Sequence, residues 1–386
     1  MVFFPAFLYN GCMDKKKLLL IDGSSVAFRA FFALYQQLDR FKNDNGLHTN
    51  AIYGFHLMLN HLLERVQRSH ILVAFDAGKT TFRTEMYADY KGGRAKTPDE
   101  FREQFPFIRE LLDHLGIRHY ELAQYEADDI IGTLGRLAEK ESFDVTIVSG
   151  DKDLIQLTDE HTVVEISKKG VAEFEAFTPE YLMEKMGLTP AQFIDLKALM
   201  GDKSDNIPGV TKIGEKTGIK LLLEHGSLEG IYENIDSMKA SKMKENLVND
   251  KEQAFLSKTL ATIDTKAPIE IGLDDLVYSG PNVENLGKFY DEMGFKQLKQ
   301  ALNASQANQS ETLNFTMVDN VSEDMLSADS IFHFELFGEN YHTDDLVGFA
   351  WSCGDKLYAT DKLERVQEPI GKDCLEKTPL RVYDFK

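Results

Sequence analysis

Three short apolar runs in this chain each lead into a carboxylate: LLLID (Leu18 to Asp22), ILVAFD (Ile71 to Asp76) and VTIVSGDKD (Val145 to Asp153). Short apolar runs bounded by turn residues read as buried strands. Helical spacing lies between them. Ile52, Phe55, Leu59, Leu62, Leu63 and Val66 follow a Thr49/Asn50 cap, and Ile130, Ile131, Leu134 and Leu137 follow Glu126. Strands alternating with helices predict an α/β unit with a mostly parallel sheet. Ligands gather at the carboxyl ends of the strands in such a sheet, so Asp22, Asp76, Asp151 and Asp153 are expected in one place.

Five more acids belong with these four. Glu126, Asp128 and Asp129 open the helix of EADDIIGTL, and Asp202 and Asp205 sit in the loop MGDKSDNIPG. Taken singly, each also reads as a cap, a first-turn acid favoured by the helix dipole, or a strand-end turn. Nine together repel unless cations neutralise them, and an oxygen-only set with no Cys and no suitably spaced His pair selects Mg²⁺ or Mn²⁺. Two such ions are the economical inference. Calcium loops of the D-x-[DN]-x-[DN]-G kind are absent, and a metal pair that stabilises attacking and leaving oxygens points to phosphodiester hydrolysis.

A net charge of −20 argues, on composition alone, against a nucleic-acid partner. Its distribution argues otherwise: residues 79–96 hold five bases against two acids. Lys79, Arg83, Lys91, Arg94 and Lys96 there interleave with Phe82, Tyr87 and Tyr90, the mixture that a phosphate backbone and stacked bases need. Further on, IPGVTKIGEKTGIKLL spaces Gly209 and Gly214 as a P-loop does. Glu215 intrudes before Lys216 and Thr217, however, and a proline turn replaces the strand a P-loop requires. Two helices joined by a glycine hairpin fit better, with Lys212, Lys216 and Lys220 beside amides that meet a phosphate.

Helices are expected at 179–186, 190–200, 215–224 and 240–261, and NASQANQSET (303–312) reads as a linker. The opening 12 residues read as an upstream-start extension, since MDKKKLLLIDGSS begins afresh at Met13. SIFHFELFG and LVGFAWSCGDKLYATD read as strands joined by a turn, in a domain that stops before completion. The hydrophobic share of 43% supports real cores, no run of 18 apolar residues occurs, and Cys12, Cys353 and Cys374 form no CxxC pair. A reducing intracellular compartment is expected.

Taken in order, LLLIDGSSVAFRAFFAL, TNAIYGF, VAFDAG, FRTEMYADYKGGRAKTPDE, EADDIIGTL, VSGDKDLIQL and LMGDKSDNIPGVTKIGEKTGIKLL resemble the 5′-nuclease domain of bacterial DNA polymerase I, over about residues 15–302. That family includes flap endonucleases. The resemblance implies a PIN-like α/β core (13–178), a basic helical arch (about 79–105) and a helical region (179–302) with a helix–hairpin–helix clamp. It makes the nine acids the metal ligands: Asp22, Asp76, Glu126 and Asp128 on the more directly catalytic ion, Asp151, Asp153 and Asp205 on the second, Asp129 and Asp202 in support. Lys91 and Arg94 match phosphate-contacting arch bases, and a potassium ion is implied near Val210 to Ile213. Residues 313–386 resemble the start of a 3′–5′ exonuclease-like domain, RNase H-like and catalytically empty, because HFELFGE lacks the Asp-x-Glu of a proofreading strand. The implied substrates are nicked or branched DNA with 5′ flaps and RNA–DNA primers, cut by a monomer in the bacterial cytoplasm at the nucleoid, with no membrane. A PIN-like ribonuclease and a non-catalytic DNA-junction binder are the rival readings.

Overall fold

The computed structural model describes residues 16–94, 96–168, 173–309, 315–318, 322, 325–326, 330–337, 345–354, 356–360 and 381–382. The extension expected at 1–12 lies outside them. The chain divides into two compact units at residues 302 and 303.

The first unit is built on a six-stranded sheet of order β3-β2-β1-β4-β5-β6: β1 Lys17–Asp22, β2 His70–Thr81, β3 Arg118–Gln124, β4 Asp144–Ser149, β5 Thr162–Ser167 and β6 Phe174–Phe177. All neighbours are parallel except β5 with β6. Side chains alternate across a strand, and here both faces are covered. Leu19 and Ile21 face the core formed with α1 (Gly23–Ala33), α2 (Asn50–Arg65) and α5 (Phe105–His114), whereas Leu18 and Leu20 face α6 (Ala127–Lys140). The strand order reverses between β1 and β4, which opens a crevice at their carboxyl ends.

Between β2 and α5 the implied helical arch takes a different form. Lys79 is still in β2, and only two short helices follow, α3 (Phe82–Met86) and α4 (Asp99–Arg102), with turns at 88–93 between them. Gly92, Gly93 and Pro98 interrupt any longer helix, and the amide of Lys91 donates to the carbonyl of Asp205 at 2.8 Å.

Helices α7 (Pro179–Met186), α8 (Pro190–Met200) and α9 (Glu215–His225) fall where the sequence places them. A short α10 (Leu228–Glu233) follows. The helix expected over 240–261 is two, α11 (Lys242–Asn249) and α12 (Lys251–Ala261), broken at Asp250 with φ −98° and ψ 17°. A separate apolar core joins α8 to α12 through Leu199, Leu222, Ile231, Leu247 and Ala254. Helix α13 (Val283–Met293) packs back on the first core, and α14 (Lys296–Gln309) runs through residues 303–309 of the expected linker. That stretch lacks Gly and Pro and is rich in Ala and Gln, so the helix outlasts the apolar periodicity. Residues 310–312 lie outside the described set. The second unit holds a five-stranded sheet, β11-β8-β9-β10-β7, with β7 Phe315–Met317, β8 Ile331–Phe337, β9 Asp345–Cys353, β10 Lys356–Thr360 and β11 Arg381–Val382. The sequence predicts strands joined by a turn here, and β8, β9 and β10 form an antiparallel meander.

One polar contact inside the first core is pH-sensitive. His56 of α2 is buried against Tyr290 of α13, whose hydroxyl meets the imidazole Nε2, and burial pushes the imidazole down to about 4. The folded state therefore binds its proton later than the unfolded chain. This contribution is complete above pH 6.5 and is lost as pH falls toward 4, by about 2 kcal/mol at pH 5. Carboxyls of raised pKa titrate over the same range with the opposite sign, so the difference between proteins is what reports His56. Between pH 7.5 and 5.0 urea unfolding should show His56→Gln retaining about that much more stability than the wild type, and equal pH dependence in both proteins would rule His56 out.

Candidate active site

Most of the acids reach the crevice through the ends of the elements that carry them, while Asp76, expected at a strand end, lies within β2 at a shift of register. Asp22 closes β1 and caps α1, accepting from the Ser25 amide at 2.9 Å and from the Ser149 hydroxyl at 2.7 Å. Asp76 sits on β2 opposite Leu122 of β3, where the register then shifts; its carboxylate accepts from the Ala127 amide at 3.0 Å, at the start of α6. Asp151 caps the 3₁₀ turn Lys152–Leu157 after β4 by accepting from the Asp153 amide at 2.9 Å. Serines that the sequence reading passed over tie these ends together. Ser24 accepts from the Asp76 amide and Ser25 from the Gly150 amide, while Ser149 bridges Asp22 and Asp151. The signal was present: a Ser lies within three residues of Asp22 and of Asp151 in IDGSS and VSGD.

Eight of the nine predicted acids form one connected electrostatic field. Asp22 feels Asp76 and Asp151; Asp128 feels Asp151, Asp22 and Glu126; Asp153 feels Asp151 and Asp202; Glu126 and Asp205 share Tyr90 and Lys91. Burial lifts the Asp22 carboxyl to about 7, with the Asp76 charge adding to it. Burial and the Asp151 charge likewise push Asp128 well up, and burial with Asp151 holds Asp153 at about 6 despite Lys197. Such shifts mark carboxylates short of positive charge.

Three further acids of the field, Glu126, Asp205 and Asp202, have protein cations. Lys91 Nζ lies 2.6 Å from Glu126 Oε1 and 3.8 Å from Asp205 Oδ2, and Arg94 donates to Asp205 Oδ1 at 2.6 Å. Burial disfavours the charge on Lys91, but Glu126 and Asp205 outweigh it and raise its pKa. Lys197 of α8, a residue absent from the sequence prediction, spans Asp153 at 2.6 Å and Asp202. Burial opposes ionisation of Asp202, yet Lys197 and Ser204 hold it down at about 2.

The ninth acid, Asp129, turns inward. It is fully buried and accepts two hydrogen bonds from Arg83, at 2.8 and 2.7 Å, and one each from the amides of Glu126 and Asp264. Its four acceptor sites are filled, so it positions Glu126 and has no open site for a metal. Arg83, expected on DNA, is this carboxylate's buried partner and also donates to the carbonyls of Leu260 and Thr262. Tyr90, expected to stack on bases, is buried too, with its hydroxyl donating toward Glu126 at 3.1 Å and Asp205 at 3.3 Å. Lys79 and Lys96 are exposed, Lys96 beside Asp99.

Among the described residues no three His, Cys, Asp or Glu side chains are placed to enclose one ion. Mg²⁺ keeps much of its water and binds through one or two carboxylates plus substrate phosphates, so an all-oxygen field of under-compensated acids fits it.

Next to this field lies the hairpin between α8 and α9. Gly209 has φ +65°, and a Cβ there would fall 2.2 Å from the Gly201 amide nitrogen, so only glycine lets the hairpin close on the end of α8. Gly214 caps α9 without a side-chain bond, leaving the first amides of the helix uncapped beside Thr217. Lys212, Lys216 and Lys220 are exposed, and among the described residues none has a carboxylate within ion-pair distance. The carbonyls of Gly209, Val210 and Thr211, near the implied potassium position, already accept from Gln253, Ile213 and Asn246.

An acid-lined crevice at the switch point of a parallel sheet, followed by a helix–hairpin–helix, defines a PIN-like nuclease fold. The chain belongs to the 5′–3′ exonuclease family: the N-terminal resolvase-like domain of that family matches residues 17–187 and its C-terminal SAM fold residues 188–284. Over 374 residues the chain is 88% identical to DNA polymerase I of Streptococcus pneumoniae serotype 4, covering 97% of this chain and 43% of that protein. Over 377 residues it is 48% identical to DNA polymerase I of Bacillus subtilis, covering 96% and 42%. It thus spans less than half the length of these relatives. Among solved structures, T5 5′-exonuclease with bound divalent zinc matches with a TM-score of 0.55 at 24% identity, over 72% of this chain and 98% of that one. The catalytic core of Rad2 with a DNA substrate matches with 0.51 at 18%, over 74% and 91%. Both likenesses are likenesses of fold.

The two kinds of acid should separate in a stability measurement. Asp129→Asn should cost about 3–5 kcal/mol by urea unfolding, because it removes the two close carboxylate contacts of the buried Arg83 guanidinium and leaves it only Glu126 at 3.4 Å. Asp76→Asn, exposed and still able to accept from Ala127, should not destabilise the fold, and removing its charge beside Asp22 should leave stability unchanged or higher. A small loss at Asp129 would show that the Arg83 pair is not holding the fold.

Proposed function

We propose that the chain is a divalent-metal-dependent 5′ nuclease, the 5′–3′ exonuclease part of a DNA polymerase I, that hydrolyses phosphodiesters at 5′ ends and 5′ flaps of nicked or branched DNA, RNA primers included. Acting as a monomer at the bacterial nucleoid, it would serve primer removal and repair. The observation that carries this reading is the field of eight acids in which burial and neighbouring carboxylate charge hold Asp22, Asp128 and Asp153 above the ordinary carboxylate range. Membership of the 5′–3′ exonuclease family supports the reaction, and the relatives solved with divalent ions or with DNA support the cofactor and the substrate. Among the described residues no helix is long and apolar enough to cross a membrane.

Asp22, Asp76, Asp128 and Asp151 would hold the ions first, because they have the least protein cation near them. Glu126, Asp153 and Asp205 would join as Lys91, Arg94 and Lys197 move off them, with two Mg²⁺ or Mn²⁺ as the expected complement. When bound, such ions supply charge neutralisation and an acidified water for phosphodiester hydrolysis. Lys91 and Arg94 then have a phosphate to bind in place of Glu126 and Asp205. The lysines of the hairpin and the amides at the start of α9 would hold the duplex backbone at a distance from the cut. Residues 313–386 would begin a 3′–5′ exonuclease-like domain without proofreading acids, dispensable for this reaction.

A 5′-flap duplex should be cleaved with Mg²⁺ and left whole with EDTA, while a blunt duplex and a plain RNA strand are cut far more slowly. Rapid cleavage of the RNA strand would favour the ribonuclease reading, and binding without any cleavage the junction binder. Asp151→Asn should abolish turnover with flap binding kept or tightened, since one negative charge is removed. Most of the wild-type rate surviving in that variant would end the metal role of Asp151.

Arg94→Ala should lower the single-turnover rate by about 100-fold while weakening flap binding only a few-fold, because a cation aimed at developing phosphate charge counts most in the transition state. Equal losses in rate and affinity would make Arg94 a plain backbone anchor.

A further inference from the structure

Four polar side chains on α11 and α12 and at their junction grip the hairpin main chain. Asn246 Nδ2 donates to the carbonyl of Thr211 at 2.8 Å, and Asp250 Oδ2 accepts from the amide of the same residue at 2.8 Å. Gln253 Nε2 donates to the carbonyl of Gly209, and Ser257 Oγ accepts from its amide at 3.0 Å. Gln253 and Ser257 share a face of α12 through their spacing of four, while Asn246 reaches the hairpin from α11 and Asp250 from the break between the two helices. The amide of Val210, between the two clamped residues, donates to Leu199 of α8 at 2.8 Å. Every main-chain donor from Gly209 to Thr211 is therefore fixed by the protein.

Gly209 is buried and its main chain needs protein partners, but that need does not extend to Thr211. Thr211 is exposed and can take its hydrogen bonds from water, and Leu247 and Ala254 already join these helices to the apolar core. Asp250 even interrupts the helix at the point where it holds Thr211. What the clamp fixes lies next in sequence: Lys212, at φ +61°, and the uncapped start of α9 with Lys216. We propose that Asn246, Asp250, Gln253 and Ser257 are positioning residues for DNA, presetting the hairpin so that its lysines and amides meet a backbone phosphate without first being ordered. Binding then avoids the entropy of fixing a loop. This inference rests on reading the hairpin as a DNA grip.

The test uses the full chain and compares Asn246→Leu/Gln253→Met with Lys212→Ala/Lys216→Ala, reading Kd for a 5′-flap duplex across a salt series together with KM and kcat. The first pair removes both donors at nearly constant volume and adds no charge. It should weaken binding about tenfold at every salt concentration, giving a parallel line, and raise KM with kcat within twofold. The lysine pair should flatten the salt dependence by up to about one unit of slope per lysine. A folded Asn246→Leu/Gln253→Met protein with wild-type Kd overturns the positioning role while the lysine pair still weakens binding. If neither pair changes Kd, the hairpin is not a DNA grip at all. Should the double variant fail to fold, Gln253→Met alone, at a half-buried position, decides by the same readouts.

Discussion

Mutual repulsion among carboxylates at one sheet edge is the constraint around which the first unit is arranged. Two unit charges about 5 Å apart, at an effective dielectric near 20, repel by roughly 3 kcal/mol, and a domain's whole stability is about 5–15 kcal/mol. Eight acids in one field therefore need compensation to coexist with a folded chain. The protein supplies part of it internally. Lys91 and Arg94 serve Glu126 and Asp205, and Lys197 serves Asp153 and Asp202. The part left over, on Asp22 and Asp128, is where an external cation gains most.

The compensating cations come from elements distant in sequence, so neutralisation and assembly are one process. Lys197 belongs to α8, yet it reaches Asp153 behind β4 and Asp202 at the hairpin, which joins the helical region to the α/β core. Arg83, at the foot of the segment after β2, links α6 through Asp129 to the end of α12 through Leu260. The same economy explains why residues 87–94 lie as turns on the acids: each of Tyr90, Lys91 and Arg94 has a carboxylate partner that a projecting helix would forfeit.

A net charge of −20 does not describe the local field, which differs between the crevice and the hairpin. Eight acids meet in the crevice, where Lys91, Arg94 and Lys197 answer part of their charge, while Lys212, Lys216 and Lys220 stand on a hairpin whose backbone is already held by α11 and α12. Electrostatic attraction for a phosphate backbone depends on the local field, which overall charge does not describe.

The sequence by itself determined the parallel sheet, the placing of Asp22 and Asp151 at the ends of β1 and β4, and the hairpin between α8 and α9, because short apolar runs, caps and glycines act over a few residues. Asp76, expected at a strand end, lies within β2, which runs on to Thr81. Helix breaks at Asp250 and persistence through Gln309 were less legible, since a single polar residue ends a helix only when something distant uses its side chain, as Thr211 does. What the tertiary structure alone decided is which charges meet. Asp128 and Asp129 are neighbours in EADDII, but one faces the crevice and the other Arg83, because successive residues on a helix point about 100° apart. Glu126 and Asp129 do stand at capping-box spacing, a hint of the inward role. No local pattern marks Arg83 as buried or Lys197 as a bridge: a base 46 or 44 residues from its partner acquires that role only when the chain folds back and the low-dielectric interior makes an unpaired charge too costly to keep.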